Sequence, residues 1–237
     1  MPLIKKPSRY IKPVGYRAPK EIIESHNGIN KYETIFVKNK GPFEELKTNS
    51  KSKSREGVVS NLKETFDYDL HNHIYSKKDK NNRLSSVPST TDIISAYERC
   101  LEKPNSASII SIISNGKEIG RTHFKITEKT IKLLSEYLEK NEHYKKEKKE
   151  SLQDKGSQRV LKGMYINSFL SSKLYEKKII VTRSFPWFRK KRVSKYVARS
   201  NSEYLNIIEN EFGIKIRFVP MPGYTFNKEK ILFEKDK

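Results

Sequence analysis

Apolar residues recur at helical spacing in three stretches of the chain and gather into short β-branched or alternating runs between them. Ser89-Thr90-Thr91-Asp92 fits a capping box, with an acid at the third place after the serine. It predicts a helix to about Glu102, with Ile93, Ile94, Tyr97 and Leu101 on one face and Pro104 as the stop. Ile109, Ile110, Ile112 and Ile113 read as a strand, and Asn115-Gly116 as a two-residue hairpin turn of the primed type. Lys117 to Ile126 is the return strand. Thr127 opens a second helix to about Asn141, with Ile131, Leu134 and Leu138 at helical spacing.

Further on, a weakly periodic helix runs from about Gln158 to Glu176, and Lys178 to Phe185 reads as a strand. Ser200 through Glu203 is a second capping box, whose helix should bury Tyr204, Leu205, Ile208 and Phe212 and end at Gly213. Ile214, Ile216 and Phe218 then alternate with Lys215 and Arg217 as a half-buried strand. Pro220 to Gly223 turns the chain, and Lys230 to Glu234 is a last strand. Before Ser89 the pattern is sparse. One strand, Tyr32 to Val37, ends at Gly41-Pro42, and residues 47–56 form a low-complexity polar linker. The predicted class is α+β. It comprises a basic, partly disordered N-terminal arm and linker (1–57), an anchored extension (58–88), a helix–hairpin–helix unit (89–141), a charged spacer (142–156) and a helix–strand–helix–strand–strand unit (157–237).

Charge changes this picture more than composition does. Among 237 residues, 49 Lys and Arg face 28 Asp and Glu, a formal net charge of +21. Such a surplus repels itself and attracts polyanions. The apolar fraction is 35%, which with glycine is about 39%, below the ~45–50% of ordinary domains, so part of the chain should not enter a core. Aromatic residues at 11% are too many for a wholly unfolded basic tail. No apolar run has the length of a membrane span, and no basic amphipathic helix suits a membrane surface. A single cysteine, Cys100, excludes a disulfide scaffold. Nucleic acid is the partner class that charge and aromatics favour together.

The arm contributes Lys5, Lys6, Arg9, Lys12 and Arg17 between four prolines, an extended stretch that could follow phosphates. Lys177 through Ser202 contains nine basic residues and no acid, with Arg183, Arg189, Lys190, Lys191, Arg192, Lys195 and Arg199 among them. Phe185, Trp187 and Phe188 are interleaved with these, and Pro186 predicts a loop here. Basic groups neutralise phosphates, and rings stack on unpaired bases. A different signal is Phe66 to Ile74. On a strand, Asp67, Asp69, His71 and His73 would share one face, the ligand types of a divalent metal. The polar side of an amphipathic strand is the stronger reading of that stretch, since no second acidic cluster completes a two-metal site. Cys100 reads as a small buried hydrophobe, and no phosphate-cradling loop, dinucleotide fingerprint or nucleophile elbow is found.

The helix–hairpin–helix order over 90–141 resembles a double-stranded-RNA-binding domain short of one strand. That family's Gly-rich turn and basic last-helix start are absent, and Thr127-Glu128-Lys129-Thr130-Ile131-Lys132 stands in the latter's place. Two small units joined by a charged spacer are similar to the layout of bacterial-type initiation factor three in element order alone. No signature residue of either is matched, so no family is assigned.

The expectation is therefore an RNA-binding component of a ribonucleoprotein, without catalysis and without a cofactor or resident metal, ribosomal or translation-associated first. Its partners would be RNA, ribosomal RNA foremost, and neighbouring proteins of the particle, with no membrane span and no small-molecule substrate. Its compartment would be intracellular, a mitochondrial matrix ahead of the nucleus or nucleolus. One alternative is a metal-dependent nuclease, or another nucleic-acid-processing enzyme, using the Asp67–His73 strand. Another is a DNA-binding replication or mobility protein.

Overall fold

The isoleucine-rich stretch predicted as a strand lies in the interior of a six-stranded sheet. A computed structural model describes residues 35–38, 44–45, 68–74, 85–150, 155–184 and 189–236. Among these, β1 (Ile35–Lys38), β2 (Glu44–Glu45), β3 (Tyr68–Ile74), β4 (Ala107–Ser114), β5 (Lys117–Lys125) and β8 (Lys215–Pro220) form one sheet in the order β2-β1-β3-β4-β5-β8. Only β3 and β4 run parallel, and the crossover between them is helix α1 (Thr90–Glu102). Ile109, Ile110, Ile112 and Ile113 are fully buried, as a strand with neighbours on both sides requires.

Local chemistry sets the element ends. Ser89 accepts from the Asp92 amide at 3.2 Å, and the Asp92 carboxylate accepts from the Ser89 amide at 2.7 Å, so the capping box is complete. Asn115 and Gly116 both take positive φ, 49° and 71°, which is the primed hairpin turn joining β4 to β5. Helix α2 (Glu128–Lys140) follows Thr127, whose hydroxyl donates to the Gly213 carbonyl at 2.7 Å. A terminal hairpin of β9 (Tyr224–Asn227) and β10 (Leu232–Lys235) packs its rings on β5 and β8. Phe218 stacks on Phe226 at 3.7 Å between centroids, and Phe233 lies over Gly120. Any side chain at 120 would put its Cβ 2.3 Å from the Phe233 ring, so this close approach requires glycine. Strand β9 is not among the predicted elements, because four residues directly after the Pro220–Gly223 turn are too short a run to show a pattern.

The chain divides into two compact units, residues 1–133 with 213–237, and residues 134–212. The sequence pattern instead places everything from 157 onward in one unit. In the structure β8 pairs with β5 over Gly120 to Lys125, returning the C-terminal segment to the first sheet. Strand pairing across a long separation leaves no local trace, which is why element order alone misses it.

The second unit is built on α4 (Lys155–Leu174), whose Ile166, Leu170 and Leu174 are fully buried. Leu134 and Leu138 of α2 and Tyr204, Leu205, Ile208 and Phe212 complete this core. Tyr137 stacks on Phe169 at 4.4 Å. The predicted charged spacer includes α3 (Glu142–Glu150), mostly exposed but anchored by Tyr144, which meets Tyr165 edge-on at 5.4 Å. The second capping box opens α5 (Asn201–Asn206). Residues 207–211 continue it as a wider turn, in which the Phe212 amide bonds to the Ile207 carbonyl, and Gly213 ends it at φ 73°. The remaining pair, β6 (Tyr175–Ser184) and β7 (Arg189–Ala198), forms a two-stranded ribbon of ten residues on each side. No described helix is long and apolar enough to cross a membrane.

Candidate functional site

Two regions gather the residues singled out in the sequence, and they differ in kind. The first is the β6–β7 ribbon. Arg183 belongs to β6, within the strand expected over Lys178 to Phe185, but the loop expected to continue beyond Pro186 is corrected: Arg189 to Lys195 belong to β7. Valines 193 and 197 and Tyr196 favour a strand, but interspersed lysines and arginines hide the alternation. The register sets Lys178 opposite Lys195, Arg183 opposite Lys190, Thr182 opposite Lys191 and Ser184 opposite Arg189. Like-charged residues paired across strands work against a sheet.

Lys177, Lys178 and Lys195 are exposed, and Lys178 touches one acid, Glu176, at 2.6 Å. Ile179 and Tyr196 are 68% and 67% exposed. Both lie on one face of the ribbon, because Lys177 pairs with Tyr196 and Ile179 with Ser194. Tyr196 is not conspicuous in the sequence, where the rings beside Pro186 give the stronger signal. Arg199 Nε donates to the Lys173 carbonyl at 2.7 Å and so caps the end of α4. Phe185, Trp187 and Phe188 lie outside the described residues, as do Lys5, Lys6, Arg9, Lys12 and Arg17.

The second region is on β3. Asp69, His71 and His73 share the face covered by α1, as alternation requires, and Asp67 lies outside the described residues. Asp69 forms a buried ion pair with Arg99 of α1. Ser108 of β4 joins them: it accepts from Arg99 and donates to Asp69 Oδ1 at 2.7 Å. Burial alone would raise the Asp69 pKa, but Arg99, His71 and Ser108 together hold it below the usual carboxylate range.

His71 places Nδ1 3.5 Å from Asp69 Oδ2 and Nε2 3.2 Å from Asp92 Oδ1. Burial opposes a charge on His71, but the Asp92 and Asp69 carboxylates outweigh it and push its pKa up to about 10. Even so, His71 Nε2 is buried and is not aligned for a hydrogen bond with any group. His73 Nδ1 donates to the Ser85 carbonyl at 2.9 Å, and its Nε2 lies 3.6 Å from Asp92 Oδ2. Burial and the neighbouring His71 lower the His73 pKa against the pull of Asp92. Burial would raise the Asp92 pKa, but the two imidazoles and the Ser89 amide hold it far below the ordinary range. Comparison with protein-family models, curated proteins and solved structures finds no match. The two regions therefore have to be read from their own chemistry.

Sequence spacing does not assign Asp92, Arg99 or Ser108 to this cluster. Asp92 reads there as part of the capping box, which it also completes, and nothing in its spacing announces a second role. The missing signal is the parallel β3–α1–β4 crossover, which lays the first turn of α1 over the end of β3.

A third buried histidine gives a pH prediction. His123 of β5 is 2% exposed and pairs in register with Arg217 of β8. Burial, then the nearby Arg121 and Arg217, push its pKa down to about 4 from 6.5. The unfolded chain therefore binds the proton more readily, so stability falls as pH drops from 6.5 toward 4. The loss attributable to His123 should be on the order of 2 kcal/mol at pH 4.5. Denaturant midpoints of wild type and His123→Gln at pH 7 and pH 4.5 measure it: the variant should lose less stability between the two, and equal losses would contradict the assignment.

Proposed function

We propose that the protein is an RNA-binding component of a ribonucleoprotein, without catalysis, and that the β6–β7 ribbon is its main contact with RNA. One observation carries this reading: residues of like charge are paired in register across the ribbon, at Lys178–Lys195 and Arg183–Lys190, and the two strands together contain one acid, Glu176. A stabilising partner for such an arrangement is a polyanion lying along the strands. Phosphates would neutralise the opposed cations and release condensed counterions. The exposed Tyr196 ring would offer a stacking surface to an unpaired base, which favours RNA with single-stranded loops over uniform duplex DNA. The net charge of +21 supplies the long-range attraction, and the basic residues of 1–20 would extend the contact. Ribosomal RNA is the RNA proposed first, with neighbouring particle proteins as further partners and a mitochondrial matrix as the first compartment to examine.

Binding of the full chain to structured RNA at several salt concentrations tests the electrostatic part. The logarithm of affinity should fall linearly with the logarithm of salt, and a flat line would overturn the reading. Tyr196→Ala should weaken binding to single-stranded RNA by about 1–3 kcal/mol with an unchanged salt slope, as read by fluorescence titration. If affinity is retained, Tyr196 does not stack.

A further inference from the structure

The cluster between β3 and α1 is built differently from an ordinary buried ion network, and the RNA reading makes no use of it. We propose that His71 Nε2, His73 Nε2 and the Asp92 carboxylate bind one zinc ion. The three ligand atoms lie within 4.8 Å of one another. The Asp92 oxygens stand 3.2 Å and 3.6 Å from the two imidazole nitrogens. In a tetrahedral zinc site with bonds of 2.0–2.1 Å, neighbouring donors are separated by about 3.4 Å; each imidazole nitrogen stands near that distance from a different Asp92 oxygen, and the widest donor pair, within 4.8 Å, would close on binding.

The outer shell points the same way. The His73 Nδ1–H donates to the Ser85 carbonyl, which fixes the tautomer and leaves the Nε2 lone pair facing Asp92. His71 presents Nδ1 to Asp69 Oδ2, and Asp69 is itself held by Arg99 and Ser108. A carboxylate behind one imidazole and a backbone carbonyl behind the other are the supports that metal-ligating histidines use. His71 Nε2 is also a buried polar atom with no aligned hydrogen bond, a costly condition that coordination would relieve, zinc displacing its proton to solvent. The Asp69 carboxylate is spent on Arg99 and Ser108, so the inner shell from this chain is two imidazoles and one carboxylate. Borderline nitrogen and oxygen donors of this kind suit zinc, with the fourth position left to water. The ion would tie the end of a parallel strand to the first turn of the crossover helix. Bound there it would stabilise the first unit, and this holds whether or not the protein binds RNA.

The test uses the full chain, dialysed against zinc sulfate with a weak chelator as competitor, followed by metal analysis and thermal melting. Wild type should retain one zinc per chain, and zinc at a hundredfold excess over Kd should raise its Tm by roughly 5–10 °C. His73→Ala and Asp92→Asn should each lose that equivalent and the Tm rise, whereas His143→Ala on the exposed α3 should keep both. Zinc retained in the two site variants, or no stoichiometric zinc in wild type, overturns the proposal. Should either variant fail to fold, cobalt added to the wild-type chain decides. Intense visible bands of tetrahedral cobalt support the site, and only the weak bands of octahedral cobalt refute it.

Discussion

Arg99→Met should destabilise the first unit by about 3–5 kcal/mol, the largest loss expected from a single polar substitution here. Arg99 is 8% exposed, and its guanidinium serves both the Asp69 carboxylate and the Ser108 hydroxyl. Methionine fills much of the same volume, so the loss comes from leaving the Asp69 charge buried against a less complete set of partners. For a chain of this size the shift in Tm would be roughly 10 °C. A double-mutant cycle separates pair from packing. Adding Asp69→Asn to Arg99→Met removes the stranded charge and should recover part of the loss. If the double variant is less stable than Arg99→Met by the full cost of Asp69→Asn alone, the two residues do not act as a pair.

Replacing Arg189, Lys190, Lys191 and Arg192 of β7 with alanine should have the largest effect on binding. Each phosphate that the variant no longer neutralises reduces the salt slope by about 0.7–0.9, so the four together flatten it by up to about 3–4 units. The ribbon should survive the change, because removing these residues also removes the opposition of Lys190 to Arg183, which works against strand pairing. Circular dichroism of the variant should therefore match wild type, while its RNA affinity at low salt falls most. A salt slope equal to that of wild type would show that this part of β7 does not meet phosphate.

What could be read from the sequence follows from how local each signal is. Both capping boxes, the Asn115-Gly116 turn and the Gly213 stop depend on a few consecutive residues, and each lies where the residues placed it. The mixed α+β class follows from them. The pairing of β8 with β5, the ribbon partner β7 and the short β9 depend on distant segments or on strands whose polar residues are basic rather than alternating, and none was visible in the pattern. The β3 face illustrates the same limit at a site. Alternation correctly put Asp69, His71 and His73 together, but Asp69 turned inward to Arg99, and the acid that meets both imidazoles came from Asp92 across the crossover helix. A metal set split between a strand and a helix cap has no sequence spacing to find it by.

Residence of the chain in an RNA-containing particle is the proposal on which the ribbon's role rests. To test it, the full chain is purified with its native partners, the complex is sedimented with and without ribonuclease, and the recovered RNA is sequenced. The expected result is a fast-sedimenting particle that collapses on ribonuclease treatment and yields an enriched structured RNA, ribosomal RNA first. A slow, ribonuclease-insensitive protein with no enriched RNA would contradict it.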